Sequence, residues 1–399
     1  MAHIKVQIVV SIMLSSLIFN RRRDYKIAGR GSSTTRLLPE TVHDDHSPDR
    51  ASSDDEGGLD IGVKHPSKRR NCCFAVVKTP NSSRFANHYH SRILQKFPFL
   101  VEMFYWALNY LAYSFTKAFA DTLYATSDKD NGVTLRAQEH GIGILKFEHE
   151  SVFKFLFPVQ EADFQAFFLN HQTALTLVNR LYSLVHIPGT VAFLSWYYYA
   201  APNHATFAVA RRTMTLGNFA AFVIFCFYPC MPPRLLPKRF HFHDTVRQGN
   251  AESVWVGGKN VNQLAAMPSL HFTYAFIIGC TFLYHSGIAR TIRYRKRSKS
   301  VISQAVFTVL GFVYPAIVLT VIVATANHYY LDAVVATFTV TLSFLCNRAW
   351  MILLPAEDML LWALRLEKPV PTTGDRLRTR SGRGRRRKVD EDESAENSS

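Results

Sequence analysis

Six long apolar stretches constrain the fold of this chain more than any other feature. They lie at about 96–120, 172–200, 207–230, 267–287, 304–325 and 329–355. Each approaches or exceeds the roughly 20 residues that a helix needs to cross a bilayer. Aromatic clusters such as Trp196-Tyr197-Tyr198-Tyr199 are typical of membrane interfaces. The pattern predicts an all-α, polytopic membrane protein: a bundle of six transmembrane helices with disordered cytosolic ends.

The polar ends of the sequence define the domain boundaries that we expect. Residues 1–95 are predicted to be a disordered arm, with a short apolar stretch at 6–19 that is a signal anchor, an interfacial segment or neither. Residues 96–355 form the membrane domain, in which the mixed stretch 135–168 predicts amphipathic helices lying on the bilayer. Residues 356–399 are predicted to be a disordered tail, first basic and then acidic.

The net charge of +16 is distributed as in a membrane protein. The positive excess lies in the tails and in one short loop, 290–297, whose density of Arg and Lys places it in the cytosol. The basic tail falls on the same side, two spans later. We therefore expect no nucleic-acid partner, and we place His271, His328 and Asp332 at the lumenal or extracellular surface.

Two histidines at predicted helix ends suggest phosphoryl chemistry. His328 and Asp332 are spaced i and i+4, which stacks them on one helix face. The carboxylate could then accept the Nδ1 proton and leave Nε2 as a nucleophile. The alternative is a helix-capping histidine beside a solvated aspartate. His271 ends the string Pro268-Ser269-Leu270-His271 at another helix start, where it could protonate a leaving alkoxide.

A phosphoryl site also needs fixed positive charge and hydrogen-bond donors. Arg234 follows a double proline and is the candidate arginine, while Ser269 at a helix N-terminus is the candidate hydroxyl ligand. The alternative for Arg234 is an interfacial arginine that extends to lipid headgroups. The predicted topology places Arg211 and Arg212 on the cytosolic side, so we exclude both from the site.

A polar stripe in the second apolar stretch supplies further candidates. Asn179, Tyr182 and His186 follow one another at i, i+3 and i+7 on one helix face. They either contact a substrate headgroup or form hydrogen bonds between helices. His241 and His243 flank Phe242 without supporting ligands at metal-site spacing. We therefore expect no metal site and no cofactor.

These residues resemble the signature motifs of the type-2 phosphatidic acid phosphatase superfamily. Pro268-Ser269-Leu270-His271 is similar to the second motif, and His328-x3-Asp332 is similar to the third. The surrounding sequence resembles the branch that contains fungal inositol phosphorylceramide synthases, over roughly residues 100–355. The resemblance implies a six-helix bundle, a phosphohistidine at His328 oriented by Asp332, acid–base work by His271, and Ser269 and an arginine as phosphate ligands.

The chain departs from the superfamily pattern at two of its arginines. The first motif, Lys-x6-Arg-Pro, does not occur before residue 268, and Arg234 is assigned in its place. Val321 and Ile322 stand where the third motif usually has Ser-Arg. Members of the inositol phosphorylceramide branch relax the same motif, so this departure favours that branch.

The sequence therefore predicts a multi-pass membrane enzyme of the Golgi, endoplasmic reticulum or plasma membrane. We expect a metal-independent lipid phosphotransferase or phosphatase that uses a phosphohistidine intermediate. Its substrate would be a phospholipid or sphingolipid, with transfer of inositol phosphate or of a phospholipid headgroup preferred on resemblance. The alternative is a catalytically inactive membrane scaffold or transporter built on the same bundle. Hydrolysis or transfer, and the oligomeric state, are left open.

Overall fold

The computed structural model describes residues 2–27, 67–72, 75–125, 132–245, 263–294 and 300–375, and these are mostly helical. In chain order the helices are α1 (Ala2–Phe19), α2 (Tyr89–Lys96), α3 (Phe99–Ala125), α4 (Gly132–Glu150), α5 (Glu161–Leu169), α6 (Gln172–Leu184), α7 (Thr190–Ala200), α8 (His204–Phe227), α9 (Leu270–Ser286), α10 (Ile288–Tyr294), α11 (Val301–Ala324), α12 (Tyr330–Leu345) and α13 (Leu354–Ala363). A π-helical turn, Val185–Gly189, joins α6 to α7. The strands β1 (Lys68–Cys72) and β2 (Ala75–Thr79) form an antiparallel pair in which Lys68 lies opposite Thr79.

The chain divides into two compact units. The larger contains Met1–Arg21, Phe99–Trp350 and Pro371–Ser399, and the smaller contains Arg22–Pro98 and Met351–Val370. In the smaller unit a buried carboxylate fixes the strand pair to α13. Asp358 Oδ2 accepts hydrogen bonds from Arg70 Nε over 2.8 Å and from the Thr79 hydroxyl over 3.0 Å.

Parts of the predicted disordered ends are therefore folded in the structure. Strands β1 and β2 lie within the predicted arm, α2 lies within it except for its last residue, and α13 lies mainly within the predicted tail. Composition predicts disorder here because Arg70 and its charged neighbours are typical of a solvated segment. In the structure, Arg70 pairs with the buried carboxylate of Asp358. Residues 28–66 and the basic-then-acidic block after residue 375 lie outside the described part of the chain.

In the larger unit, α9 and α11 make the most extensive contact between helices. Glycine permits this close approach, because a Cβ atom at Gly279 would lie 2.5 Å from Pro315 Cγ and one at Gly311 would lie 2.6 Å from Leu283 Cγ. The core beside this contact is apolar and fully buried, and it includes Ala275, Val318, Val321, Ile322, Val323, Ala324 and Ala336. The packing holds the N-terminal ends of α9 and α12 close to the end of α11.

All six predicted apolar stretches overlap helices: α3, the α6–α7 pair, α8, α9, α11 and α12. By length and composition, one helix of the described residues, Val301–Ala324, suffices to cross a membrane. Tyr330–Leu345 with Asn347–Ala363 qualifies as a second only if the two helices count as one bent span. The stretch at 6–19 falls within α1, which packs against α7, and the stretch at 135–168 corresponds to α4 and α5.

Candidate active site

His328 lies two residues before α12, and Asp332 lies in the first turn of this helix. Asp332 Oδ2 accepts a hydrogen bond from the backbone N–H of Tyr329 over 3.0 Å, which caps the start of the helix. The same oxygen lies 3.2 Å from Nδ1 of His328. Both side chains are buried, so a solvated aspartate beside a capping histidine does not describe this structure. One carboxylate thus fixes both the start of the helix and the imidazole.

Two oxygen atoms determine which nitrogen of His328 carries the proton. Nδ1 lies 2.8 Å from the carbonyl oxygen of Ala266 and 3.2 Å from Asp332 Oδ2. A carbonyl oxygen only accepts hydrogen bonds, so Nδ1 must carry the hydrogen. In the neutral ring, Nε2 then keeps its lone pair. The backbone of the segment before α9 therefore prepares Nε2 to act as a base, a ligand or a nucleophile.

His271 lies beside His328 at the start of α9. The two imidazole centroids are 5.5 Å apart, with the ring planes inclined by 62°. His271 also stacks on Tyr182, with ring centroids 4.6 Å apart. The Ser269 hydroxyl caps α9 by accepting from Phe272 N over 3.3 Å. The structure therefore brings together two histidines that are far apart in the sequence.

Arg234 is buried close to these histidines, with only 8% of its surface exposed. Its Nε donates to Asn327 Oδ1 over 2.9 Å, and its Nη1 donates to Asp244 Oδ2 over 3.2 Å. The backbone N–H of Arg234 donates to the carbonyl of Ala326 over 2.9 Å. These side-chain bonds use two of the five guanidinium N–H groups. An arginine held in this way is not an interfacial side chain that extends towards solvent.

Four hydrogen-bonded contacts hold the segment 228–245 around Arg234. Tyr329 Oη donates to Met231 O over 2.7 Å, and Cys230 N donates to Leu264 O over 2.7 Å. Gln165 pairs with the backbone of His243 in both directions, over 2.8 and 3.0 Å. Asn179 Nδ2 donates to Thr245 O over 3.2 Å. The segment is therefore held by the residues before α9, by α5, by α6 and by the α11–α12 connection.

Of the remaining predicted site residues, some contact the histidines and others are engaged elsewhere. Tyr182 contacts His271, but the Asn179 amide is engaged by Thr245, and Ser269 is fully buried as a helix cap. His186 lies in the π-helical turn, and its side chain lies outside the described part of the chain. Arg211 is paired with Glu102 over 2.8 Å and takes no part in this site.

Two residues that hold Arg234 are not among the predicted site residues. Asp244 lies in the loop 228–245, and Asn327 lies in the turn between α11 and α12. The signal that could have found them is chemical: a buried arginine requires acceptors, and both residues belong to segments that flank it.

Two buried glutamates lie behind the start of α12. Glu148 Oε1 accepts from Leu331 N over 2.6 Å, and Glu161 Oε1 accepts from Tyr330 N over 3.5 Å. Burial, together with the hydrogen bond and charge of Glu161, raises the pKa of Glu148 to about 11, so this acid is neutral at pH 7. His149 Nε2 lies 2.7 Å from Glu161 Oε2. The ligand atoms of the three side chains lie within 4.8 Å of one another, an arrangement that could also hold a cation.

Comparison with known protein families gives a match. A family model described as PAP2 superfamily matches residues 143–346, which contain the start of α12, the start of α9 and Arg234. No curated protein and no solved structure matches the chain.

Proposed function

The chain belongs to the PAP2 superfamily, and on this basis we propose that it is an integral-membrane lipid phosphotransferase or phosphatase that acts through a phosphohistidine at His328. Membership of the superfamily supports a phosphatase-type enzyme. The observation that carries the finer proposal is the pair of acceptors at Nδ1 of His328. They leave Nε2 with its lone pair beside a second imidazole and a buried arginine.

The proposed reaction has two steps. In the first, Nε2 of His328 forms a bond to phosphorus, and the bond from phosphorus to the leaving oxygen breaks as protonated His271 donates its proton to that oxygen. In the second, neutral His271 takes the proton of an incoming hydroxyl, whose oxygen bonds to phosphorus while the N–P bond breaks. An alcohol acceptor gives transfer and water gives hydrolysis. Neither step requires a metal ion in this proposal.

Arg234 supplies the positive charge for these steps. Two of its N–H groups are occupied by Asn327 and Asp244, which fix the plane of the guanidinium. The remaining N–H groups would bind the equatorial oxygens of the phosphoryl group, whose negative charge grows in the transition state. Ser269 is assigned a second phosphate contact, and Tyr182 and Asn179 are assigned to the substrate headgroup, with His186 as a further candidate.

A membrane location is supported by the large apolar side chains that the proposed spans leave exposed. Phe115 on α3, Phe227 on α8, Phe312 on α11 and Phe338 on α12 are each more than 60% exposed. Such surfaces are unfavourable in water but suit lipid tails. We therefore propose that α3, α6–α7, α8, α9, α11 and α12 cross the bilayer, with the site on the lumenal or extracellular side. The compartment would be the Golgi, the endoplasmic reticulum or the plasma membrane.

The proposed donor is a phospholipid or sphingolipid, and transfer of inositol phosphate or of a phospholipid headgroup is our preferred reaction. The test is incubation of purified protein in detergent with a donor lipid carrying ³²P in its phosphate, followed by detection of acid-labile label on the protein. We expect label on the wild type and none on His328→Ala. His171→Ala provides a matched control, because this histidine is exposed in the turn between α5 and α6.

Two outcomes would contradict the proposal. Label that persists in His328→Ala would assign the nucleophile elsewhere. Lipid turnover that is equal in the wild type, His328→Ala and His271→Ala would favour an inactive scaffold or transporter.

A further inference from the structure

A cleft separate from the phosphoryl site lies among α1, α3, α7, α8 and α9. It contains about 690 Å³ of empty space, part of it open to the surroundings. Its walls include Met13, Phe99, Trp106, Leu194 and Met214. None of the candidate catalytic or phosphate-binding residues lines it. The cleft thus belongs to no function described above.

The charges in this cleft are already paired. Arg211 Nη1 lies 2.8 Å from both carboxylate oxygens of Glu102. The same guanidinium lies over the ring of Tyr105, 4.6 Å from its centroid. An anionic ligand would have to compete with a carboxylate that is held by the fold. The cleft therefore favours an uncharged ligand.

Two polar atoms in the cleft point to the chemistry of that ligand. Among the described residues, Asn109 Oδ1 and Ser195 Oγ are buried without a hydrogen-bond partner, and both residues line the cleft. By contrast, Tyr274 Oη in the same wall donates to Asn218 Oδ1. An amide oxygen only accepts, whereas a serine hydroxyl donates and accepts. A ligand hydroxyl would donate to the amide oxygen and accept from the serine, and a ligand amide would do so with its N–H and its carbonyl oxygen.

The rest of the lining is suited to hydrocarbon. Aromatic rings and flexible methionines flank the two polar atoms, and Met13 of α1 closes one side. The packing of α1 against α7 and α3 is what completes this wall. A ligand that matches the cleft therefore has a small uncharged polar group on a large apolar body.

We propose that this cleft binds one uncharged lipid through a hydroxyl or amide hydrogen. The polar group would donate to Asn109 Oδ1 and exchange a hydrogen bond with Ser195 Oγ. The hydrocarbon would lie against the aromatic and methionine side chains. The site is a second lipid site of the larger unit, and it does not depend on the phosphohistidine.

Photo-crosslinking of the purified full chain in lipid nanodiscs tests this inference. Diazirine analogues of a sterol and of a diacylglycerol form two separate arms, and a diazirine analogue of phosphatidic acid forms a third. We expect one of the uncharged probes to label peptides of α3 or α7 in a saturable manner. Asn109→Leu and Ser195→Ala should each reduce that labelling by about fivefold to tenfold, since each removes a buried hydrogen bond to the ligand.

Matched variants separate lost binding from lost folding. Tyr110→Leu changes the neighbouring, exposed position of α3 and should label as the wild type does. The uncharged probe that labels the wild type should raise the thermal unfolding midpoint of the wild type. It should not raise the midpoint of Asn109→Leu. His328→Ala should bind the probe normally, so failure of the phosphohistidine proposal would leave this site intact. Absence of saturable labelling by both uncharged probes would overturn the inference. So would labelling of Asn109→Leu and Ser195→Ala equal to that of the wild type, or preferential labelling by the phosphatidic acid probe.

Discussion

At the scale of single residues, the protonation of His328 is held by two acceptors of different kinds. If Asp332 were the only partner of Nδ1, its replacement by asparagine would let the amide N–H donate to Nδ1. The ring hydrogen would then move to Nε2. The Ala266 carbonyl cannot donate in this way, because it accepts hydrogen bonds only. The backbone therefore secures the tautomer even when Asp332 is altered.

This arrangement predicts a moderate effect of Asp332→Asn. The amide oxygen can still cap Tyr329 N, and Ala266 still requires hydrogen on Nδ1. We expect turnover of a labelled lipid donor to fall by about a hundredfold, through lost charge stabilisation, and less than the roughly ten-thousandfold that a serine-protease triad loses in the same exchange. Turnover equal to that of the wild type would show that Asp332 does not act on His328.

A second prediction concerns the shape of the Arg234 side chain. Arg234→Lys replaces a planar fork by a single ammonium, which cannot serve Asn327, Asp244 and a phosphate together. We expect turnover to fall by about a hundredfold, on the scale of losing one transition-state donor. Arg239→Lys is the control, because Arg239 is exposed in the same segment beside Phe240. Equal losses in both variants would argue against a phosphate-binding role for Arg234.

At the scale of elements, α4 and α5 determine where α12 begins. Carboxyl groups from Glu148 and Glu161 accept from the first backbone N–H groups of α12, in addition to the cap by Asp332. A helix N-terminus favours such partners. The amphipathic helices predicted at 135–168 therefore support the candidate site directly.

The raised pKa of Glu148 makes stability depend on pH. In the unfolded chain this carboxyl titrates near its ordinary value of about 4.3, whereas in the folded protein its pKa is about 11. The folded state holds the proton more tightly, so stability falls as pH rises through the range between these values. Glu148→Gln keeps a neutral side chain and should flatten the dependence. Thermal unfolding at about pH 6 and pH 9 measures both slopes, and equal slopes would contradict the assignment.

Gly141 offers a sharp test of how closely α4 approaches the site. A Cβ atom there would lie 2.6 Å from Tyr329 Oη and 2.8 Å from Met231 O, the two atoms that hydrogen-bond to each other. We expect Gly141→Ala to cost about 1–3 kcal/mol of unfolding free energy by overpacking and to reduce turnover.

Gly143→Ala is the matched control on the same helix. A Cβ atom at Gly143 would meet no atom within 4 Å. The substitution should therefore leave activity unchanged and stabilise α4 by about 0.5–1 kcal/mol, through its helix propensity. Chemical denaturation of both variants makes the comparison, and similar effects on stability would contradict the close approach.

At the scale of the whole molecule, hydrophobic runs were sufficient to locate helices but not the contacts between loops. The stretches 304–325 and 207–230 match α11 and α8 within a few residues, because long apolar periodic segments have few alternative structures. The spacing of His328 and Asp332 indicated their contact, although His328 precedes the N-cap of α12 and does not share a helix face with Asp332. Asp244 and Asn327 could not be placed, because the sequence does not show how the irregular segment 228–245 folds back on itself and packs against the α11–α12 turn.

The proposed topology makes a prediction about sidedness. In sealed microsomes, Arg290→Cys on α10 should react with a membrane-impermeant maleimide at once, since the loop after α9 is proposed to be cytosolic. Arg239→Cys should react only after detergent is added. Both positions are exposed in the structure. Reaction of the two cysteines under the same conditions would reject the proposed arrangement of spans.

The double use of Asp332 has a consequence for biosynthesis. The oxygen that caps the first turn of α12 also faces Nδ1 of His328, so the nucleophile has both of its Nδ1 partners only when that turn exists. Helix α12 is the last of the proposed spans to leave the ribosome. A nascent chain would then not react with phosphate esters until its final span is in place. Chains truncated before residue 332 would not react with them at all.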